Sequence, residues 1–278
     1  MTRCGSGQFQ LITPSVASDM LDRNNRNRPV SKPHVAFLAN EMKTGRWETN
    51  GDAIRFDTDD NLLDGQHRLL AVIDSGVAIR QLVVTGISPS AFATIDGGAR
   101  LRRGADVLAI ACPGTPNVTT VAAALALIDK YMTGRMEQSV RYTNRDILNL
   151  HAKYPDVASS VVHSSALRRI MSASLSCALN YLFSQTNEPD AADFFAALAD
   201  GSDLYPGNPI LLLRERLIAN KLGKAKLPTT YVAALTIKAW NAWRKGASMK
   251  TLKYTTGGQS PEAFPLIDNC YPGIRGQC

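Results

Sequence analysis

Apolar and polar residues follow two regimes along this chain: short alternating runs near the start, and long helical periodicities beyond. Phe9 to Ile12 predicts a short strand, and Thr13-Pro14 supplies a cap and a first-turn proline for a helix running through Leu21. The stretch Asp22-Arg23-Asn24-Asn25-Arg26-Asn27-Arg28-Pro29 has no apolar face and predicts a loop. Ser31-Lys32-Pro33-His34 opens a second helix, in which Val35, Leu38 and Met42 recur at helical spacing and which stops near Gly45. Ala53 to Asp57 and Asn61 to Leu63, separated by Asp59-Asp60, predict a hairpin that delivers the chain to Asp64-Gly65. A helix from His67 to Asp74 ended by Gly76, a strand from Arg80 to Ile87, a short helix capped by Ser88-Pro89 and a helix from Gly104 to Ala111 complete this half.

Cys112-Pro113-Gly114-Thr115-Pro116-Asn117 is the clearest linker, and every later pattern is helical. Helices are predicted over Val118–Tyr131, Thr143–Lys153, Asp156–Phe183 with a break near Val162–Arg168, Ala191–Ala199, Pro209–Lys221 and Thr229–Lys245. Asn208 before Pro209, and Gly201 and Gly246 after helix ends, punctuate them. The fold class is therefore α+β: a small mixed-sheet N-terminal domain over 9–111, an all-helical domain over 118–254 and an irregular tail over 255–278.

Composition narrows the class. With 278 residues, 45% hydrophobic and 20% charged, the chain can bury a sizeable core and is not disordered. Its longest apolar stretches, Val121 to Ile128 and Ile210 to Leu213, fall far short of a membrane span, and its first residues lack the apolar core of a signal peptide. These features predict a cytoplasmic protein with no membrane partner. Five cysteines (Cys4, Cys112, Cys177, Cys270 and Cys278) stand singly, which predicts reduced thiols and no metal site, with Cys177 in the core.

Charge adds a partner. The net charge is +7, and between Arg214 and Lys253 only Glu215 opposes a run of basic residues. Such a field attracts a polyanion, and nucleic acid is the common one in a cytoplasm. Arg214, Arg216, Lys221, Lys224, Lys226, Arg244 and Lys245 are the candidate contacts for DNA. The alternative is a solvated basic face.

The candidate chemistry lies in Asn61-Leu62-Leu63-Asp64-Gly65-Gln66-His67-Arg68-Leu69-Leu70-Ala71. Basic side chains ordinarily sit at the C-terminal end of a helix, because the N-terminal end already carries positive partial charge. His67 and Arg68 in a first turn oppose that dipole unless an anion is held there, and free backbone N–H groups with an Arg fork suggest a phosphate. The alternative is a hairpin turn entering a helix whose charges face water.

Around this turn the pattern Ile12-Thr13-Pro14, Asn24 to Pro29, His34-Val35, Met42, Gly45-Arg46-Trp47, Asn50-Gly51, Ile54 and Leu62 to Leu69 resembles the ParB/sulfiredoxin-like superfamily. It is more closely similar to the DGQHR branch found in many phage and mobile-element proteins, a resemblance that covers roughly residues 9 to 110. Asn208-Pro209, Leu213-Arg214-Glu215-Arg216 and Lys238-Ala239-Trp240-Asn241-Ala242-Trp243-Arg244 also look like the helical region of those proteins. The resemblance implies a small α+β domain whose Gly-x-x-Arg turn binds nucleotide phosphates at a helix N-terminus. The nucleotide is CTP in ParB proteins, and ATP in sulfiredoxins and in free-serine kinases of this fold. By position, Gly65 would admit the phosphate, Gln66 and His67 would contact its oxygens, and Arg68 would neutralise it. Arg28, in the loop that the family pattern places near the nucleotide with Asn24 and Arg26, would be a second phosphate ligand.

Two departures from the family bear on activity. ParB proteins carry a glutamate tied to hydrolysis where this chain has Gln66, and sulfiredoxins carry their nucleophilic cysteine there. An amide is neither a general base nor a nucleophile, which argues against sulfinic-acid reduction and against ParB-type hydrolysis. Any acid or base must then come from Asp64, Glu41 or Asp96, each of which also has a structural explanation as a turn former, a solvated helix residue or a loop anchor. Arg100 and Arg103, beside Gly97-Gly98, could cover a triphosphate, touch a DNA backbone or form a surface patch. Trp47, Trp240 and Trp243 read as packing residues, and His151 and His163 receive no role.

Three functions follow as expectations. The first is a nucleotide-binding protein (ATP or CTP, with Mg2+ as an optional companion) of phage or mobile-element origin that acts on or around DNA in the host cytoplasm. The second is a phosphotransferase or a nucleotide- or base-modifying enzyme using the same pocket. The third is a DNA-binding regulator or partition-like adaptor with a degenerate pocket. A homodimer is left open, and no clustered carboxylate set points to a nuclease.

Overall fold

A computed structural model describes residues 5–25, 27–95 and 102–269 and divides the chain into two compact units, Met1–Arg100 and Leu101–Cys278. The protein is α+β, with its strands in the first unit and helices making up the second.

In the first unit the order is β1 (Ser6–Ile12), α1 (Pro14–Leu21), α2 (Lys32–Lys43), β2 (Ala53–Asp57), β3 (Leu62–Asp64), α3 (Gln66–Ser75) and β4 (Ile79–Ile87). A 3-10 turn over Pro89–Thr94 follows. The four strands form one mixed sheet in the order β1-β4-β2-β3, with β2 and β4 parallel and the other two pairs antiparallel. Parallel neighbours need a long crossover, and β3 with α3 supplies it. The β3–α3 junction, where the candidate chemistry lies, is thus part of that crossover.

Local signals explain the elements. Thr13 Oγ1 accepts from Val16 N (3.3 Å) and Pro14 occupies the first turn of α1. The β2–β3 turn is held by Asp57, whose Oδ1 accepts from the N–H groups of Asp59 (2.9 Å) and Asn61 (2.8 Å). Strand β1 begins earlier than its apolar pattern predicts, because pairing with β4 runs out to Ser6 opposite Thr85. Ile12, Ile54, Phe56, Ile79 and Val83 from the sheet meet Met20, Met42, Leu69 and Val72 from the helices in one core, with Trp47 packed against it as predicted. Fully burying a side chain such as Phe56 contributes about 1.5–3 kcal/mol.

The second unit contains α4 (Gly104–Ala111), α5 (Val118–Met132), α6 (Asn144–Lys153), α7 (Val161–Ser164), α8 (Ala173–Ser184), α9 (Glu188–Asp200), α10 (Pro209–Leu222) and α11 (Thr229–Arg244). The sequence pattern groups residues 104–111 with the N-terminal domain, but α4 belongs here. Leu108 lies in this unit's core, and a Cβ at Gly104 would come within 2.8 Å of Ile147. The region predicted as one interrupted helix over 156–183 is instead two 3-10 turns, Pro155–Ala158 and Ala166–Arg169, with α7 between them, followed by α8. Ser172 restarts the chain by capping the N–H of Leu175.

The centre of the unit is aromatic. Trp240 is fully buried and stacks on Phe183 at 4.3 Å between ring centroids, with Phe194 edge-on to both. Cys177 is buried, as its apolar setting predicts. The tail is irregular but not loose up to residue 269. Tyr254 and Ile267 are buried in the core, and the Ile267 N–H donates to the Tyr131 hydroxyl (2.7 Å). Among the described residues no helix is long and apolar enough to cross a membrane.

Candidate functional site

Gly65 is the N-cap of α3, with φ 110° and ψ 0°. A Cβ there would lie 3.0 Å from Ile54 Cγ1 and 3.3 Å from Ile54 Cα, so the turn requires glycine for conformation and for space. No side chain caps this helix, and its first intrahelical bond runs from Leu69 N to Gly65 O (3.0 Å). The N–H groups of Gln66, His67 and Arg68 therefore have no acceptor within the helix and carry its positive end.

The side chains of the same turn are largely engaged with the protein. The Asp64 carboxylate accepts from Arg68 Nη2 (3.0 Å) and from Arg55 Nη1, both on Oδ2, which leaves Oδ1 without a hydrogen bond. The sequence implies that Arg68 needs an outside anion at this helix end, whereas its counter-ion is in part Asp64, four residues earlier. One guanidinium nitrogen is not accounted for: Arg68 Nη1 is buried and makes no hydrogen bond.

Gln66, nearly fully buried, accepts from Asn24 Nδ2 (3.1 Å) and donates to the Arg28 carbonyl (2.7 Å). Asn27 then donates to Asn24 Oδ1 (2.7 Å) and to the Leu62 carbonyl (2.8 Å). His67 accepts at Nε2 from the Ser31 N–H (3.0 Å), so its own ring proton sits on Nδ1. Burial, and then the charge of Arg28, push the His67 pKa below its ordinary 6.5 against an opposing pull from Asp64, which keeps the ring neutral at neutral pH. His34 lies beside it at 5.4 Å between ring centroids. Gln66 and His67 thus fasten the 24–31 loop over the turn. They bring to one place Arg28, exposed and without an ion pair among the described residues, the three first-turn N–H groups and Arg68.

Other predicted residues fall elsewhere. Glu41 pairs with Arg46 at the end of α2 and, seven residues beyond His34, stands about 10 Å further along the helix axis. Asp96 and Arg100, like Arg26, lie outside the described residues. Arg103 belongs to the second unit, where its N–H donates to Asp106 Oδ2 (2.8 Å) at the start of α4. Sequence reasoning missed Arg55 and His34 as members of the site. A lone arginine in the apolar strand Ala53–Asp57 is a signal that could have found the first.

The basic segment of the second unit is less bare in space than along the chain. Arg214 caps α9 by donating to the carbonyls of Leu198 (2.9 Å) and Ala199 (3.1 Å), and Lys226 caps α10 on the carbonyls of Asn220 (3.2 Å) and Gly223 (2.7 Å). Arg244 pairs with Asp190, Lys245 with Asp268 and Lys238 with Glu262, so distant acids supply counter-charges that Glu215 alone does not. Arg216, Lys221 and Lys224 stay exposed without an ion pair among the described residues. Cys112 Sγ meets His151 Nδ1 at 3.5 Å, a contact hidden by a separation of 39 residues.

No protein-family model, curated protein or solved structure matches this chain. What the site can do is therefore a question about its own groups. Its donors outnumber its acceptors: Arg55 and Arg68 share one carboxylate, Arg28 acts on the neighbouring His67, and three backbone N–H groups stand at a helix end. The donor set and the unpartnered Arg68 nitrogen fit a phosphate oxygen. Among the described residues no group of three or more His, Cys, Asp or Glu could hold a metal ion.

Proposed function

We propose that the first unit binds the phosphates of a nucleoside triphosphate, ATP or CTP, at the β3–α3 turn, as in the ParB/sulfiredoxin-like proteins its sequence resembles. The second unit, in this reading, holds DNA through exposed cations. The observation that carries the proposal is the buried, unpartnered Arg68 Nη1 beside an uncapped helix N-terminus that only glycine can open. Burying a polar group without a partner costs about 1–3 kcal/mol, a cost that an arriving phosphate oxygen would offset. Gln66 and His67 act chiefly as fasteners of the Asn24–Ser31 loop, which presents Arg28, and His67 keeps its Nδ1–H as a further donor.

Isothermal titration of the full chain with the four common triphosphates, with and without Mg2+, tests this. We expect saturable binding of ATP or CTP that weakens about tenfold or more in Arg68→Ala, corresponding to about 1.4 kcal/mol or more. Arg68→Lys, which keeps the charge near Asp64, separates loss of the fork from loss of the fold. Absence of binding by every triphosphate would sink the proposal.

A phosphotransferase remains the second reading because Asp64, in the same turn, leaves Oδ1 without a hydrogen bond to any described residue. It predicts that Asp64→Asn abolishes product formation from labelled nucleotide, and a panel of acceptors that yields no product removes it.

A further inference from the structure

The second unit has a polar cavity of about 510 Å³, formed by the 3-10 turn over Pro155–Ala158, the residues after it, α8 and the start of α9. The buried part is lined by Ser160 (5% exposed), Asn180 (3% exposed) and Tyr181, whereas Asp156, Gln185 and Glu188 at the mouth are exposed. This size and this mixture of buried polar groups within a packed unit suit a small-molecule site.

Two independent observations point to a ligand. The Asn180 amide, on α8, and the Ser160 hydroxyl make no side-chain hydrogen bond with any described residue, and both residues line the cavity while being almost wholly buried. Asn180 shares its face of α8 with Ser176, Cys177, Phe183 and Ser184, and Ser184 lines the same cavity. The carboxylates of Asp156 and Glu188 carry no ion pair with any described residue, in a chain whose net charge is +7. Their places in the first turns of helical segments explain why acids are tolerated at the mouth, but not why an amide is buried beneath them.

We propose that this cavity binds a small aliphatic ammonium ion, with the charged nitrogen between Asp156 and Glu188 and a second polar group of the ligand reaching Asn180 and Ser160. The choice follows from hydrogen-bond inventory. Carboxylates only accept, and an ammonium group offers three donors to them. An anion would be repelled at the mouth, and a neutral polyol would leave both carboxylates uncompensated. A bare divalent cation lacks ligands, since no cluster of three metal-binding groups occurs among the described residues. The Tyr181 phenol, whose ionisation is suppressed by burial and then by the charge of Asp156, stays a neutral donor and acceptor in the wall.

The test uses the full chain and isothermal titration with two probes, 1,4-diaminobutane and ethanolamine, against the uncharged 1,4-butanediol. We expect saturable binding of at least one amine, one per chain, and none of the diol. The double variant Asp156→Asn, Glu188→Gln alters only exposed carboxylates and should weaken the amine about tenfold or more while leaving the melting temperature near that of the parent. Asn180→Leu should weaken it as well, because it removes the amide that the ligand's second polar group would reach. Arg68→Ala should leave amine binding unchanged, which keeps this result separate from the triphosphate test. No saturable amine binding, equal binding of the diol, or unchanged affinity in the carboxylate variant would each overturn the proposal.

Discussion

At the level of single residues, Gly65 and His67 show how a turn is made and what it depends on. A side chain at Gly65 would meet both φ 110° and the Ile54 side chain, so Gly65→Ala should cost about 1–3 kcal/mol, read as a lowered melting temperature. His67 sets a pH dependence whose sign can be worked out. Its folded pKa lies below the unfolded value of 6.5, so on acidification the unfolded chain takes up a proton that the folded chain resists. The stability contributed by the neutral ring is fully present above 6.5 and is lost as pH falls through the lowered folded value. Melting curves from neutral to mildly acidic pH should show this loss, and His67→Gln should flatten it; an unchanged pH dependence in the variant would refute the assignment. The motif itself was legible in the sequence as a polar turn with basic residues on the wrong end of a helix. What could not be read was that Asp64 and Arg55 already answer part of the charge of Arg68, since that pairing needs β2 and β3 side by side.

At the level of elements, helix ends were legible because caps act within one turn. Thr143 with Asp146 starts α6 where the pattern predicts, whereas Asn187, which accepts from the Asp190 N–H, starts α9 three residues before the predicted Ala191. Membership was not legible. Residues 104–111 look the same whichever domain they join, and the burial of Leu108 in the second core with the close approach of Gly104 to Ile147 decides it. The basic residues divide in the same way. Arg214 spends its guanidinium on the last carbonyls of α9, so Arg214→Ala should lower the melting temperature of the chain. If the second unit holds DNA as proposed, the exposed cations Arg216, Lys221 and Lys224 should behave oppositely, changing DNA binding with little effect on melting. If Arg214→Ala leaves melting unchanged and abolishes DNA binding alone, the division is wrong.

For the whole molecule, the charge of +7 matters through the part left uncompensated. In a DNA-binding protein each phosphate contact contributes about −0.9 to the slope of log affinity against log salt. Neutralising Arg216, Lys221 and Lys224 together should therefore make that slope shallower by about 2–3, measured by fluorescence anisotropy on a mixed-sequence duplex. A salt dependence identical to that of the parent would remove these residues from the interface.

The amino-acid sequence by itself determined most of the helices and strands and the glycine turn, because those depend on interactions between residues within about one helical turn or one hairpin of each other. It also determined the α+β class and the division into an early mixed part and a later helical part. Only the tertiary structure decided which groups are spent and which remain. Gln66 is taken by Asn24 across 42 residues of chain, Arg214 by carbonyls 15 and 16 residues away, and Lys245 by Asp268. Arg68 Nη1 is left buried without a partner. The physical reason is that a polar group's availability depends on which distant partners the fold brings within hydrogen-bond distance, and sequence spacing carries no record of that distance.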